Sequence, residues 1–306
     1  MLLAVAIPSF TGYSAPERNA GTMNTRGWEI KLGWSDSVGD FSYGISVNLS
    51  DYRSVMGNLG GKQVFNSNGT IITEGEEYCS WYGYRSNGLF QTEEEISSSP
   101  LLVASTKPGD VKYMDVNGPD GTPDGIINDT YDRVILGSSL PHYIYGGSIN
   151  LGWKGISFSM LFNGVGHQLS NLTEDMIRPF QGQWLSAPSV IRNSDGSRNY
   201  WSRYNTEEQN LKVRYPRLSE SGARYNNYKM SDYWLVNSAY LRIKNINLGY
   251  TFPKSMVSKV NLKGLRVYFN VDDPFCFDNY LKGWDPEAGA STYIARTWTF
   301  GLDLKF

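Results

Sequence analysis

The final eleven residues, Arg296-Thr-Trp-Thr-Phe-Gly-Leu-Asp-Leu-Lys-Phe306, narrow the fold more than any other stretch of the chain. Trp298, Phe300, Leu302, Leu304 and Phe306 are apolar, and Thr299, Gly301, Asp303 and Lys305 between them are small, polar or charged. Side chains on a strand alternate between two faces, so this spacing predicts one apolar and one polar face along a single strand. So regular an amphipathic strand, ending in an aromatic, is the pattern of a strand that closes a transmembrane sheet and anchors its rim at the membrane interface. Trp298, Phe300 and Phe306 are therefore the candidate barrel-insertion signal.

Upstream segments repeat the pattern. Trp28 to Ser35 places Trp28, Ile30, Leu32 and Trp34 on one face, Asp36 to Asp40 reads as a turn, and Phe41 to Ser50 returns with Phe41, Tyr43, Ile45, Val47 and Leu49 apolar. Tyr143 to Trp153 and Ile156 to Phe162 form a second hairpin about Lys154-Gly155. Between Tyr240 and Phe252 the phase changes. Leu241 and Ile243 share one parity and Ile246, Leu248, Tyr250 and Phe252 the other, which predicts a bulge near Lys244-Asn245. Leu265 to Val271 and the final strand bring the expected number to seven. Residues 51–133, 164–235 and about 272–295 carry no sustained period and read as long loops, with Glu93-Glu94-Glu95 a solvated charge run. Short turns at one end and long loops at the other favour an all-β, antiparallel transmembrane β-barrel with long extracellular loops. A soluble sandwich would keep its loops short at both ends.

Composition excludes several classes. The chain is 40% hydrophobic with a mean hydropathy of -0.40. No apolar run approaches the roughly 18 residues of a spanning helix, which rules out a helical membrane protein and leaves a barrel untouched. The aromatic fraction of 14%, with 21 Tyr and 9 Trp, suits the girdles of a barrel and equally a carbohydrate-binding β-sandwich. A net charge of -2, without a basic block longer than a dipeptide, gives a nucleic-acid partner no support. Cys79, Cys276, His142 and His167 lie outside any metal-ligand spacing. Met1 to Pro8 is apolar but lacks a positive leading region, so no signal peptide is read there and the chain is expected to begin inside a longer protein.

The order of motifs resembles the SusC/RagA family of TonB-linked (TonB-dependent) outer-membrane proteins. The resemblance rests on Asn19-Ala-Gly-Thr-Met-Asn-Thr-Arg-Gly-Trp-Glu29, Trp81-Tyr-Gly-Tyr-Arg85 with Gly88-Leu-Phe-Gln91, and Asp115-Val-Asn-Gly with Asp124-Gly-Ile-Ile-Asn128. Asp132-Arg-Val-Ile-Leu-Gly137, Ser231-Asp-Tyr-Trp-Leu235, Tyr240 to Tyr250, Gly283-Trp-Asp-Pro-Glu287 and the final strand complete it. It covers nearly the whole chain in the family's order, and only the C-terminal part of the family's barrel. It implies a share in a large barrel of about 22 strands with a plugged lumen, set in the lipid of a Gram-negative outer membrane. It also implies import of oligosaccharides or peptides driven by the TonB complex, and a SusD-like surface lipoprotein as lid. The family's signal peptide, TonB box, plug and first strands have no counterpart among these motifs. A soluble or surface-exposed β-sheet module that binds glycans without transport is the alternative.

Candidate site residues lie in the loops. Asp115, Asn117, Asp120, Asp124 and Asp132 offer oxygen ligands at alternate positions with intervening glycines, as a hard cation such as calcium requires. The segment from Gly118 to Pro123 interrupts the EF-hand spacing, and a turn loop that caps a strand without metal accounts for the same residues. Trp184, Trp201 and Tyr204 are candidate stacking platforms for sugar rings, with packing against the loops' own small cores or a lid as the plainer reading. Asp303 and Lys305, two apart on the polar face, read as a structural pair. No spacing of carboxylates supports a glycosidase, and no enzyme is expected.

Overall fold

A computed structural model describes residues 2–4, 17–19, 21–179, 192–193, 195–219, 224–289 and 292–306. The chain divides into two compact units, one drawn from residues 1–24, 54–140 and 169–236, the other from 25–53, 141–168 and 237–306.

The second unit is built on a seven-stranded antiparallel meander. Its strands are β1 (Met23–Val38), β2 (Phe41–Met56), β3 (His142–Trp153), β4 (Ile156–His167), β5 (Tyr240–Thr251), β6 (Gly264–Asp278) and β7 (Thr297–Lys305), and their spatial order follows the chain. Among the described residues β1 and β7 each pair on one side only, so the sheet is an unclosed stretch of barrel wall. The β3–β4 turn is set by its two central residues: Lys154 has φ 46° and Gly155 φ 91°, the double positive φ of a tight hairpin whose twist matches its strands.

Register turns the alternation along each strand into rows across the sheet. Tyr43, Leu151, Phe158, Leu248, Phe269 and Phe300 are directly opposed in succession from β2 to β7. Phe41, Trp153, Ile156, Tyr250, Val267 and Leu302 form the next row, and Ile45, Ile149, Met160, Ile246, Val271 and Trp298 a third. Between the apolar rows run Gly44, Asn150, Ser159, Asn247, Asn270 and Thr299, then Ser42, Gly152, Ser157, Gly249, Tyr268 and Gly301. One face is thus apolar over six strands and largely open: Phe300 is 78% accessible and Leu32 of β1 64%, while Val271, between its neighbours in the third row, is buried.

The phase change in β5 is a bulge, as the parity shift predicts. Lys244 opposes no residue on either neighbour, since pairing passes from Ile243 to Asn245 against β6 and from Phe162 to Leu161 against β4. On β6 the interruption is Asp273-Pro274, with Asp273 at φ 49°. A proline has no amide to give a ladder and is tolerated at a bulge. Past it Phe275 and Phe277 pair with Ile243 and Leu241, so the apolar face continues. The expectation of a loop from residue 272 is corrected: the strand runs to Asp278.

The first unit corrects a larger expectation. Residues 51–133 are not an irregular loop. Strands Arg133–Ser138, Ser80–Tyr84, Thr70–Ile72 and Val64–Phe65 make a small sheet in that order, and Ser86–Leu89 pairs with Val111–Tyr113. Glu93-Glu94-Glu95 opens a short helix, Glu93–Ser97, where carboxylates suit the positive N-terminal end. Thr92 caps it, and Glu95 accepts from Lys112 at 2.7 Å and from the Gln91 amide at 2.8 Å. Tyr84, Leu89, Val111, Tyr113 and Ile127 close a core of their own.

On the polar face of the meander, Tyr268 lies over its opposite neighbour Gly301, where an added Cβ would meet the ring at 2.1 Å. Gly301→Val is expected to displace the ring and cost about 1–3 kcal/mol of unfolding free energy in detergent. Urea titration should also recover part of that loss in the Tyr268→Ala, Gly301→Val double variant. An unaffected single variant would contradict the packing.

Candidate functional site

The bulges of β5 and β6 carry the densest charge cluster of the second unit. Arg242 is buried, and its Nη2 donates to both oxygens of Asp285 at 2.7 and 2.6 Å. Its Nε lies 3.1 Å from Glu287 and its Nη1 3.8 Å from Asp273. The bulged Lys244 reaches Asp273 and Glu287, each at 3.3 Å. Three carboxylates therefore hold two cations, and two of the three belong to the Gly283-Trp-Asp-Pro-Glu287 motif. That motif works as a latch which fixes the loop before β7 to its own sheet. Lower on the same face Asp303 lies 3.8 Å from Arg266, its cross-strand neighbour.

The first unit presents its polar side chains from loops that are stapled from within. Asp110, almost wholly buried, accepts from Arg217 at 2.7 and 3.2 Å, from Asn227 Nδ2 at 2.9 Å and from the Lys107 amide at 2.9 Å. This ties the 107–113 segment to residues 217 and 227. The Tyr84 hydroxyl donates to Asp129; burial first, and that carboxylate second, push its ionisation well above the ordinary phenol value.

The candidate site residues separate into groups. In the Asp/Asn/Gly loop, Asp132 is fully buried and accepts from the amides of Val116 at 2.9 Å, Asn117 at 3.3 Å and Asn128 at 2.8 Å. Asp115 accepts from the Gly125 amide at 2.5 Å, and Asp124 from its own turn at Ile126. Asp120 is exposed. Asp132 and Asp115 thus clamp the two ends of the loop through backbone amides. Among the described residues no group of three or more His, Cys, Asp or Glu side chains is placed to hold a metal ion. Trp201 packs against the core cluster and donates to Gln91 at 3.1 Å, so its ring serves the loop's own core. Tyr204 is 71% exposed, with the guanidinium of Arg203 4.9 Å and that of Arg198 5.9 Å from its ring centre. Trp184 lies outside the described residues. Trp298 and Phe300 stand exposed on the apolar face of β7, and Phe306 is exposed just past its end.

Sequence reasoning missed the latch, although Gly283 to Glu287 had been singled out as a motif. Its signal was two carboxylates two residues apart in an otherwise uncharged turn. It also missed the arginines around Tyr204.

The latch titrates. Burial alone would raise the Asp285 carboxyl, but the Arg242 hydrogen bonds and the amides of Glu287 and Ala288 outweigh it and hold the group below its ordinary 3.8. A depressed carboxylate contributes stability that is full above about pH 4 and is lost as pH falls through the folded value. Hydrogen-exchange protection of the Glu287 and Ala288 amides, which donate to Asp285 at 2.9 and 3.2 Å, should therefore hold level from pH 7 to about pH 4.5 and fall below that. A loss between pH 7 and 6 would assign the latch to another group.

Comparison with known proteins bears on the whole arrangement. No family model matches the chain. It is 26% identical over 335 residues to TonB-dependent receptor P3 of Formosa agariphila, covering all of this chain and 31% of that protein. It is 28% identical over 326 residues to receptor P39 of the same organism, and 26% identical over 327 residues to TonB-dependent receptor SusC of Bacteroides thetaiotaomicron, covering 30% and 29% of them. The fold matches the RagAB peptide importer in its open-open state with a TM-score of 0.72 at 22% identity, over all of this chain and 31% of that one. The RagAB peptide transporter gives 0.71. The chain spans about a third of the length of the curated relatives it matches. With its unclosed antiparallel barrel wall, its long folded loops and these likenesses, the chain is SusC/RagA-like: it is similar to part of the TonB-dependent receptors P3, P39 and SusC and shares its fold with part of RagAB.

Proposed function

We propose that these strands form barrel wall in the outer membrane of a Gram-negative cell, in a receptor that imports nutrient molecules with energy from TonB. The observation that carries this reading is the exposed apolar face, held in register over six consecutive strands. Water does not tolerate such a face, whereas lipid solvates it, and away from the bulges at Lys244 and Asp273-Pro274 the interior strands pair their backbone groups along the sheet. The polar rows of Gly, Ser, Asn and Thr then line the lumen side. Rings and basic groups cluster where the strands meet the short turns: Phe41, Trp153 and Tyr250 stand in one row, with Lys154 beside Trp153. Aromatic rings take this position at membrane interfaces.

Transport rather than catalysis fits the use made of Asp110, Asp132 and Asp285, carboxylates that are spent on staples and a latch. The likeness to SusC and to the RagAB structures supports a SusD-like lipoprotein as partner over the loop-built unit. Oligosaccharides are the favoured substrate class, with peptides second, because Tyr204 offers an open ring among polar side chains. TonB would act through a plug and not through these strands.

Cell fractionation tests this. An antibody raised against residues 195–219 should find the native protein in the outer-membrane fraction, resistant to carbonate and released by detergent together with a lipoprotein. It should also stain intact cells. Recovery as a soluble monomer without detergent would establish the alternative, a glycan-binding β-sheet module without transport.

A further inference from the structure

Within the first unit a concavity of about 600 Å³ lies between residues 192–193 and 195–198 on one side and the helix Glu207–Lys212 on the other. Among the described residues, every charged side chain on its wall is a cation: Arg192, Arg198 and Lys212. The chain as a whole carries a net charge of -2, so this is local placement and not a reflection of composition.

Hydrogen-bond accounting separates the wall groups already committed from those left for a ligand. Asn193 Nδ2 donates to Ser197 Oγ at 2.9 Å, Asn205 Nδ2 to the Tyr200 carbonyl at 3.0 Å, and Gln209 Oε1 accepts from the Thr206 amide at 2.9 Å in a capping box. Lys212 is paired with Glu208 at 2.5 Å, and Asp195 closes its own turn by accepting from the Ser197 amide at 2.8 Å. The two arginines are different. Arg192 donates once to the Gly196 carbonyl at 3.4 Å and Arg198 once to Asn205 Oδ1 at 3.3 Å, and among the described residues neither makes an ion pair. A guanidinium carries five N–H donors in a planar fork matched to a carboxylate, phosphate or sulfate. Most of both forks is unspent, and the open ring of Tyr204 stands in the same wall.

We propose that this concavity is the subsite for the anionic group of an acidic oligosaccharide, a sulfate ester or a uronate carboxylate. Arg192 and Arg198 grip the anion and the Tyr204 ring stacks on the adjoining sugar. A sugar is favoured over an acidic peptide because among the described residues Val213 is the one aliphatic side chain on the wall, which offers little hold for a peptide's apolar side chains. The inference rests on the import reading above and narrows it to substrate charge.

The test uses the native protein purified in detergent, with four probes of matched length: a sulfated, a uronate and a neutral hexasaccharide, and hexa-aspartate. Calorimetry should give binding of at least one charged sugar at least tenfold tighter than the neutral one, weakening as salt is raised. Arg192→Gln with Arg198→Gln should weaken that binding by roughly tenfold or more, and leave thermal unfolding unchanged because both side chains are exposed. Equal affinity for charged and neutral sugars, an unaffected double variant, a preference for hexa-aspartate, or no binding of any probe would each overturn the proposal. Fractionation of the same cells keeps the two readings apart. Loss of anion preference in a correctly inserted protein overturns this inference alone, whereas absence from the outer membrane overturns both.

Discussion

An antiparallel ladder of seven strands fixes which residues share a face, and in this chain that register makes one face hostile to water. A slip of one residue anywhere would move apolar side chains into the polar rows and polar ones into the apolar rows. The register is held by tight turns such as Lys154-Gly155 and by the bulge at Lys244, which absorbs a residue so that Leu241 and Ile243 rejoin the apolar face. Three apolar rows hold eighteen side chains. Each is worth about 1.5–3 kcal/mol when fully withdrawn from water. Left in water, such a face would contribute none of that, and the sheet would have little to offset the conformational entropy of ordering its strands. The environment that solvates the face is therefore part of the fold, and the proposed membrane setting rests on the register.

The loop segments answer a different demand. They carry backbone polar groups with no long ladder to satisfy them, and they solve this with buried side-chain acceptors. Asp110 gathers Arg217, Asn227 and the Lys107 amide, while Asp132 gathers three amides of its own loop. A carboxylate that accepts several hydrogen bonds at once is a strong staple, because removing it strands every donor. The Arg242 latch applies the same logic within the sheet unit. Loops held this firmly can present exposed groups such as Tyr204, Arg192 and Arg198 in a fixed arrangement, as recognition requires.

Legibility in the sequence followed the range of the interaction. The seven strands were readable because each face is decided by the residue two places away, and the bulge near Lys244 because parity changes there. β6 beyond Val271 was hidden by Asp272-Asp273-Pro274, which breaks the visible alternation although Phe275 and Phe277 keep its phase. The core of the first unit left no local period: Tyr84, Val111 and Ile127 meet across long separations, and Val111 donates to Asn227 from 116 positions away. Among the candidate site residues, an aromatic residue type alone could not separate a packed Trp201 from an open Tyr204. The cationic concavity was masked because Arg192, Arg198 and Lys212 are interleaved in sequence with Asp195, Glu207 and Glu208. Only folding spends Glu208 and Asp195 and leaves the two arginines.

The central claim is that the two faces of this sheet meet different solvents. Single cysteines placed in turn at residues 246 to 250 of β5, in the native membrane and in a background with Cys79 and Cys276 replaced, test it directly. Ile246, Leu248 and Tyr250 positions should resist an aqueous maleimide and, when spin-labelled, report lipid-dissolved oxygen, while the Asn247 position should react from the aqueous side and the Gly249 position, packed beneath Arg266 and Ser157, should react from that side more slowly. Uniform aqueous reactivity along the five positions, or alternation of the opposite phase, would contradict the account.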